Sequence, residues 1–307
     1  MPELPEVETI RRGLSKFIIK QNLKKTRILC EKSFIGQPQT AKIKDIRRFG
    51  KALVIDLDNQ KSLMIHLRMT GQLIYDGKER YAAGHPSENF LDQLPNKQTR
   101  VILELAHGTL YFNDQRKFGF IKVLKTTEVE DDPFIKKLAK EPWQITEEEL
   151  YQKLQKHQNS SIKATILDQT IIAGLGNIYA DETLFMTKIH PQTKSGKITK
   201  NQAGEIIKAA KAVMEKSITS GGSTLKDYKK ADGSRGDYLD KFAQVFNKQG
   251  QKCPRCGSII KKIKVAGRGT HICPNCQKEP KWLEFLPAMT ASGQETKSSI
   301  FWAKITK

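Results

Sequence analysis

The chain begins with MPELPEVETIRRGL, residues 1–14, in which two prolines flank Glu3. Removal of Met1 would leave Pro2 with a free secondary amine. An α-amine titrates at about 8, roughly 2 units below a lysine, so a larger fraction of it is neutral at cellular pH. A neutral amine can attack an aldehyde-level carbon, and a secondary amine then forms an iminium that stays positively charged. We predict a nucleophile at Pro2 with Glu3 as proton donor or acceptor; the alternative is an ordinary polar terminus before a helix.

The residues that follow this terminus have the spacing of an amphipathic helix. Apolar side chains recur at positions 7, 10, 14, 17 and 18. That period places them on one helical face, and Glu6 and Glu8 suit the positive end of a helix. A helix buried on that face would hold the terminal amine at its N-terminal end.

Composition indicates a polyanionic partner. The 307 residues carry 53 Lys and Arg against 33 Asp and Glu, a net charge of +20, and most of the excess lies after residue 133. Nucleic acid is the first candidate partner and an anionic membrane the second. The sequence shows no targeting signal and no apolar run long enough to span a bilayer. We therefore expect a cytoplasmic protein without a membrane partner.

Residues 23–125 have the character of an antiparallel β-domain. Short β-type runs separated by turn residues lie at 26–30, 52–57, 62–67, 100–105, 109–113 and 120–124. Many short strands at such spacing predict a β-sandwich, crossed here by the N-terminal helix. The polar segment 75–97 is interpreted as one long loop. Asp131-Asp132-Pro133 marks the predicted end of this first domain, 1–133.

Helical patterns dominate after residue 133. Capping-box patterns open predicted helices at Thr146-x-x-Glu149 and Thr199-x-x-Gln202. Further helices are predicted at 160–169 and 178–187, and the long last helix closes at Gly221-Gly222. We assign 134–250 to a helical domain, 251–277 to a zinc element and 278–307 to a C-terminal extension of unknown role.

Four of the five cysteines form a metal-binding pattern. Cys253-x-x-Cys256 is followed after sixteen residues by Cys273-x-x-Cys276. Two such C-x-x-C turns can complete a tetrahedron of thiolates with no open position, so we predict one structural Zn²⁺. Metal usage of this kind also fits a reducing compartment better than a disulfide framework does.

The terminal residues 1–14, the Gly174-Leu175-Gly176-Asn177 turn and the cysteine pairs together resemble bacterial formamidopyrimidine-DNA glycosylases, also called 8-oxoguanine DNA glycosylases. The resemblance runs in order from Pro2 to Cys276. It implies an α+β fold with an N-terminal antiparallel β-sandwich, a helix–two-turn–helix domain and a zinc β-hairpin. The implied function is base-excision repair by a bifunctional glycosylase and lyase. Such an enzyme removes oxidised purines from double-stranded DNA and cleaves the strand by β,δ-elimination.

The resemblance also implies roles for the candidate catalytic residues. Pro2 would attack C1′ of the damaged nucleotide, Glu3 would assist opening of the sugar ring, and Glu6 would be a supporting carboxylate. Lys51 would lie near the reacting sugar-phosphate, and Arg268, at the tip of the zinc hairpin, would grip flanking phosphates. From the residues alone, Lys51 could equally be a surface lysine at a strand start, and Arg268 a solvated arginine.

Five further positions are implied DNA contacts. Lys163 and Asn177 would bind phosphate, and the backbone N–H groups of the helix that begins there form a natural phosphate cradle. Met69, Arg116 and Phe118 would fill the space left by an extruded base and separate its neighbours. Without the resemblance, the glycine turn could be purely structural, and a Met and a Phe in β-rich sequence are more often core residues.

Gly222, Ser223 and Thr224 resemble the loop that closes over the extruded purine, although a glycine here is otherwise just a helix cap. We expect the protein to act on DNA as a monomer. Two other functions remain open: an endonuclease VIII-type enzyme for oxidised pyrimidines, and a non-catalytic zinc-ribbon DNA-binding protein. The first differs in its preferred lesion, and the second predicts damage-independent binding without strand cleavage.

Overall fold

The structure, a computed structural model, describes residues 2–84, 93–222 and 238–280. The helices are α1 (Leu4–Ile18), α2 (Pro133–Lys136), α3 (Glu147–Lys156), α4 (Ile162–Leu167), α5 (Asn177–Met186) and α6 (Lys200–Thr219). The strands are β1 (Asn22–Ile28), β2 (Phe34–Ile35), β3 (Ala41–Phe49), β4 (Ala52–Leu57), β5 (Lys61–His66), β6 (Gly71–Gly77), β7 (Arg80–Gly84), β8 (Thr99–Leu105), β9 (Gly108–Asp114), β10 (Phe120–Lys125), β11 (Lys261–Val265) and β12 (Arg268–Ile272).

The first ten strands form the predicted sandwich. Their order is β2-β10-β5-β4-β3-β1-β8-β9-β6-β7, and every neighbouring pair is antiparallel except β2 and β10. Only two residue pairs join β1 to β3, so the sheet divides there into two halves. Side chains of both halves meet in one core, with Ile55 and Ile65 from one and Leu103 and Phe112 from the other. The α+β architecture predicted from the sequence is confirmed.

Helix α1 belongs to two cores at once. Its side chains Val7, Ile10, Leu14 and Ile18 are buried against the sandwich, as the helical spacing predicted. Leu4, in its first turn, is buried instead among the residues of the helical region. The helix therefore joins the two regions at its own N-terminus, where the candidate nucleophile lies.

Two helices of the helical region begin at the predicted capping boxes. The hydroxyl oxygens of Thr146 and Thr199 each accept the backbone N–H of the N3 residue. The side chains of those N3 residues, Glu149 and Gln202, accept the backbone N–H of the threonine in turn. Helices α3 to α6 bury their apolar faces in a second core together with a π-helical turn at Tyr238–Phe242. Within the described ranges, none of the helices combines the length and apolar content needed to cross a membrane.

The long loop predicted at 75–97 is wrong in its first part. Strands β6 and β7 pair as a hairpin across a short turn that follows Asp76-Gly77. The residues between the two strands are Lys78 and Glu79, which include no glycine, proline or asparagine, so the turn carries no strong sequence signal. Residues 85–92 lie outside the described part of the chain.

The zinc element contains the predicted hairpin. Strands β11 and β12 pair from Lys261 with Ile272 to Val265 with Arg268. Ala266 and Gly267 form the two-residue turn with φ values of 47° and 76°. Positive φ at both positions is the geometry of a type I′ turn, which matches the twist of the strands. Arg268 is therefore the first residue of β12, on the exposed end of the hairpin.

Packing of α1 on the sandwich makes a testable prediction. We expect Leu14→Ala to destabilise the protein by about 2–5 kcal/mol, because a fully buried leucine leaves a cavity that the sheet only partly fills. Lys16→Ala, on the exposed face of the same helix, is the control and should change stability by about 0.5 kcal/mol or less. Denaturant unfolding measures both. Equal effects of the two substitutions would contradict the proposed packing.

Candidate active site and nucleic-acid interface

Glu3 occupies the N-terminus of helix α5. Its carboxylate accepts the backbone N–H of Ile178 at 3.0 Å and approaches that of Tyr179 at 3.5 Å. A Cβ on Gly176 would lie 2.2 Å from the Glu3 side chain, so only glycine leaves room for the carboxylate. The backbone N–H groups that were predicted to bind a phosphate at this helix start are therefore directed at the Glu3 carboxylate instead. The orphan N–H groups of the first turn bind an internal carboxylate, because the chain's own terminus is packed against them.

Lys51 lies next to this carboxylate, at the start of β4. It is only 6% exposed, and its Nζ donates to the carbonyl oxygen of Leu175 at 2.6 Å. The interpretation of Lys51 as a surface lysine is therefore wrong. A buried ammonium that keeps a fixed hydrogen bond to the turn before α5 is positioned within electrostatic reach of Glu3.

Burial shifts the titration of these groups in opposite directions. Desolvation raises the pKa of Glu3 to about 7, and the attraction of Lys51 offsets only part of that rise. Desolvation lowers the pKa of Lys51, and the positive charge of Arg268 lowers it further. Arg268 is therefore within electrostatic range of Lys51, although its side chain is exposed. Burial also lowers the pKa of nearby His66 to about 3, so that its ring is neutral.

Glu6 ties the terminal turn to two helices. One oxygen accepts the backbone N–H of Glu3 at 2.8 Å, and the other accepts the hydroxyl of Tyr179 at 2.5 Å. The Tyr179 oxygen also lies 2.5 Å from the hydroxyl of Ser217. Tyr179 has a single proton and gives it to Glu6, so Ser217 must be the donor in the second bond.

The connection continues to Gly222, the first of the three predicted lesion-loop residues. Gly222 donates its N–H to the carbonyl oxygen of Ser217 at 2.8 Å and has φ of 91°, a conformation that favours glycine. Its Cα faces Glu6, since a Cβ there would lie 3.5 Å from the Glu6 side chain. Ser223 and Thr224, the other two predicted loop residues, lie outside the described part of the chain.

The side chain of Lys163 lies in the protein interior. It is fully buried, and its Nζ donates to Asp181 at 2.6 Å and to the Thr270 hydroxyl at 2.7 Å. In this structure the Lys163 ammonium is thus bonded to protein groups, and the direct phosphate contact stays a prediction. Asp181 also accepts the backbone N–H of His271, so this buried ion pair fastens the zinc hairpin to helices α4 and α5.

Asn177 stands at the edge of the same junction. Its side-chain amide donates to the carbonyl oxygen of Gly269 at 3.0 Å, one residue after Arg268. Its side-chain oxygen has no partner among the described residues. The side chain is half-buried and bonds to the hairpin one residue from Arg268, and the phosphate contacts predicted for these two residues stay predictions.

The three residues predicted to enter the duplex are on the surface. Met69 is 40% exposed and Phe118 is 55% exposed, which excludes the interpretation of both as core residues. The guanidinium of Arg116 lies over the Phe118 ring, 4.9 Å from its centroid. All three side chains are therefore accessible to a partner.

The four predicted zinc ligands form one cluster. All four Sγ atoms of Cys253, Cys256, Cys273 and Cys276 lie within 4.8 Å of one another. Two of the Sγ pairs are separated by 3.4 Å and 3.9 Å. A tetrahedron with Zn–S bonds of about 2.3 Å has S–S edges of about 3.8 Å, so the cluster fits Zn²⁺ and leaves no ligand position for substrate. The prediction of one structural zinc is confirmed.

The contacts between the two regions have no signal in the sequence. Arg48 donates to Glu141 through both terminal nitrogens and to Glu8 through Nε at 3.1 Å. Glu141 also accepts the backbone N–H of Gly50 at 3.1 Å. Likewise, no local pattern reveals that the Tyr179 hydroxyl reaches Glu6. Partners 40 or more residues apart leave no signal in spacing.

Sequence profiles of known families match along the chain. Residues 1–121 match the profile described as Formamidopyrimidine-DNA glycosylase N-terminal domain, and 138–229 match Formamidopyrimidine-DNA glycosylase H2TH domain. Residues 250–278 match Zinc finger found in FPG and IleRS. These ranges contain the candidate nucleophile, the turn before α5 and the cysteine cluster.

Individual relatives agree over nearly the whole chain. A formamidopyrimidine-DNA glycosylase of Desulfitobacterium hafniense is 37% identical and is matched over 90% of this chain and 100% of its own length. One of Streptococcus thermophilus is 38% identical over 91% of this chain and 100% of its own length.

Solved structures give the same result. A Lactococcus lactis FPG mutant in complex with Fapy-dG containing DNA has a TM-score of 0.81 at 34% identity, over 91% of this chain and 100% of that one. The Lactococcus lactis protein with abasic-site DNA has a TM-score of 0.80, with the same identity and coverage. The chain therefore belongs to the formamidopyrimidine-DNA glycosylase family of base-excision repair enzymes.

Proposed function

We propose that this enzyme removes oxidised purines, including 8-oxoguanine and formamidopyrimidines, from double-stranded DNA and then cleaves the strand as an AP lyase. The observation that carries the proposal is the burial of Glu3 beside Lys51 and directly after Pro2, with its pKa raised to about 7. A carboxyl group of that pKa can hold or release a proton at cellular pH, as general acid–base catalysis requires. Relatives solved with Fapy-dG and abasic-site DNA support the same substrate class.

The chemistry assigns Pro2 and Glu3 distinct roles. After removal of Met1, the Pro2 nitrogen attacks C1′ and the bond from C1′ to the damaged base breaks, with a proton passing to the departing base. The C1′–O4′ bond then breaks, the Glu3 carboxyl gives its proton to O4′, and an iminium joins Pro2 to C1′. Loss of the 3′ phosphate and then the 5′ phosphate by β- and δ-elimination leaves a one-nucleotide gap.

The surrounding residues position the terminus and the DNA. Glu6 fixes the terminal turn through its bond to the Glu3 N–H. Lys51 holds positive charge beside the reacting sugar-phosphate, and Arg268 and Asn177 bind the phosphates flanking the lesion. Lys163 takes a supporting role, since it anchors the hairpin that carries Arg268.

Recognition of the lesion involves two surfaces. Met69 fills the vacancy of the extruded base, Arg116 approaches the orphaned cytosine, and Phe118 enters between neighbouring base pairs; their exposure supports this assignment. Loop residues from Gly222 onward, including Ser223 and Thr224, close over the extruded purine beside Glu6.

An enzyme for oxidised pyrimidines would prefer thymine glycol to 8-oxoguanine in matched duplexes, and a zinc-ribbon binding protein would cleave neither.

The organisation of the chain follows from these roles. We propose a catalytic sandwich domain at 1–133, a helical domain at 134–250, a zinc finger at 251–277 and an extension of unknown role at 278–307. We propose that the enzyme acts as a monomer. Thiolates that bind zinc suit a reducing compartment, so we place the enzyme in the cytoplasm, with the DNA.

Borohydride trapping tests the nucleophile. An iminium on Pro2 should be reduced to a stable crosslink with an 8-oxoguanine duplex, and mass spectrometry should place the adduct on the N-terminal peptide. Glu3→Gln keeps the shape but removes the titrating proton, so we expect excision to fall by about a hundredfold or more while lesion binding persists. Pro2→Gly keeps an amine but not the ring, so most glycosylase activity should be lost.

The matched control for that experiment is the form that retains Met1, because its Pro2 nitrogen is an amide without a basic lone pair. It should give no crosslink. An adduct on Lys51, or full activity with Met1 retained, would exclude Pro2 as the nucleophile. Binding that does not distinguish damaged from undamaged duplex, with no cleavage of either, would favour the non-catalytic alternative.

The raised pKa of Glu3 predicts a pH dependence of stability. Between about 4.5 and about 7 the unfolded carboxyl ionises while the folded one keeps its proton, so the folded state loses relative stability as pH rises. Because Glu3→Gln removes this effect, its stability relative to the wild type should rise by up to about 3 kcal/mol from pH ~5 to pH ~8. Denaturant unfolding at both pH values measures it. Glu31→Gln, on the surface, is the control, and parallel profiles of wild type and Glu3→Gln would disprove the shift.

Loss of zinc should weaken DNA binding without unfolding the N-terminal sandwich. We expect Cys253→Ser to lose the metal, unfold the hairpin of β11 and β12 and weaken DNA binding, because Arg268 is then no longer held at the site. The N-terminal sandwich should stay folded. Cys30→Ser, outside the cluster, is the control. Fluorescence anisotropy with a lesion duplex measures affinity, and unchanged affinity after zinc chelation would contradict this role of the hairpin.

A further inference from the structure

We propose that Asp114 is a positioning residue that holds both DNA-inserting loops in register through a single buried carboxylate. The two loops are 67–70, between β5 and β6, and 115–119, between β9 and β10. Met69 lies in the first, and Arg116 and Phe118 lie in the second. The inference rests on the proposed function, because it concerns how these three side chains are presented to the duplex.

The hydrogen bonds of Asp114 reach both loops. Its Oδ1 accepts the hydroxyl of Thr70, the residue after Met69, and the backbone N–H of Arg116 at 3.2 Å. Its Oδ2 accepts the backbone N–H of Gly119 at 2.7 Å, the residue after Phe118. The Thr70 hydroxyl also accepts the Arg116 N–H at 3.1 Å, so the two loops meet at one point.

Asp114 is itself held firmly. It is fully buried at the last position of β9, where it pairs with Gly71 of β6. Its backbone carbonyl accepts Nε of Arg100 at 2.7 Å. The carboxylate therefore projects from the rigid sheet, and it fixes both loops, and the bond between them, relative to that sheet.

The loops need such an anchor because their backbones are locally unfavourable. Arg68 and Lys117 have φ values of 51° and 57°, in the left-handed region that side chains other than glycine seldom occupy. Such conformations persist only where surrounding contacts enforce them. Each strained residue is adjacent to an inserting residue, Met69 or Phe118, so release of the anchor would let both side chains move.

Extrusion of a base costs a few kcal/mol of lost stacking, which the inserted side chains must offset. These side chains are effective only if they are already in position when the base leaves the stack. Loops that sample many conformations would have to be ordered at each encounter, which costs conformational entropy. Asp114 thus contributes to base extrusion without touching DNA. The later steps at C1′ should not depend on it.

The substitution Asp114→Asn tests this assignment at nearly constant volume. An asparagine has one acceptor oxygen, so at least one of the Arg116 and Gly119 N–H groups would face an NH₂ donor instead. We expect single-turnover excision of 8-oxoguanine from duplex DNA to fall by about ten- to a hundredfold. Extrusion, followed with a fluorescent base analogue next to the lesion, should slow in parallel.

Cleavage of a preformed abasic site in single-stranded DNA gives the separating measurement. That substrate has no base to extrude and no stacked neighbours to part, so Asp114→Asn should cleave it at the wild-type rate. Thr70→Val should show a weaker form of the same duplex defect. Thr70→Ser keeps the hydroxyl and should excise 8-oxoguanine from duplex DNA at about the wild-type rate. An equal loss on both substrates would instead indicate damage to the active site and would overturn the inference.

Asp56→Asn is the matched control for burial. Asp56 is a buried carboxylate of the same sandwich that accepts Arg47 and Ser62, at the end of the β4–β5 hairpin opposite His66 and the first loop. Its loss should lower the melting temperature without a selective duplex defect. Wild-type duplex excision by Asp114→Asn would disprove the positioning role alone. Absence of 8-oxoguanine excision by the wild-type protein would instead refute the proposed function, and this inference with it.

Discussion

The rest of the site depends on the buried carboxylate of Glu3 at the start of helix α5. Two backbone N–H groups and the positive end of a ten-residue helix face it. A helix terminus stabilises an anion by about 0.3–2 kcal/mol, whereas the rise of the pKa from 4.5 to about 7 corresponds to a net of about 3 kcal/mol against ionisation. Burial therefore outweighs the helix and Lys51 together, and Glu3 keeps a proton that an exposed glutamate would have lost.

That placement constrains the residues around it. Gly176 is required because any side chain would meet Glu3, and Gly174 is required because a Cβ would lie 2.3 Å from Leu4. The turn before α5 is thus a socket for the first helical turn of the chain. Lys51 closes the socket from the side of the sandwich by its bond to Leu175. The glycines, the lysine and the terminus are parts of one contact, although they are spread over more than 170 residues.

The sequence was sufficient for features that repeat locally. The face of α1, the capping boxes at Thr146 and Thr199, and the cysteine spacing each follow from a short-range rule, and each is found. Strand β3 was not predicted because Ile43 and Ile46, its buried residues, are three apart and do not alternate. The strand has a register shift between Ile43 and Asp45, and a bulge of that kind returns both side chains to the same face.

The occupant of the helix start could not be predicted for a different reason. A glycine-rich turn before a helix binds any anion of suitable size, and local sequence does not say whether the anion is a phosphate or a carboxylate of the same chain. Likewise, the sequence shows Lys163 only as one cation among many on a helix of a basic protein. The structure shows that its partner is the carboxylate of Asp181. Only tertiary structure distinguishes a lysine that meets DNA from one that holds the surface that does.

Helix α5 explains how a zinc ion that touches no substrate can matter for the chemistry. The residues from Tyr179 to Phe185 are buried on all sides, which is why no amphipathic period marks this helix. Its first turn holds Glu3, Asp181 holds the hairpin through His271, and Arg255 between two zinc ligands caps its last carbonyl groups. The Glu3 carboxylate and the hairpin that carries Arg268 are thus fixed to one rigid element. Under the proposed function, ordering of the zinc element places a positive charge near Glu3 without moving Pro2, so that DNA binding and proton transfer can be separated by mutation.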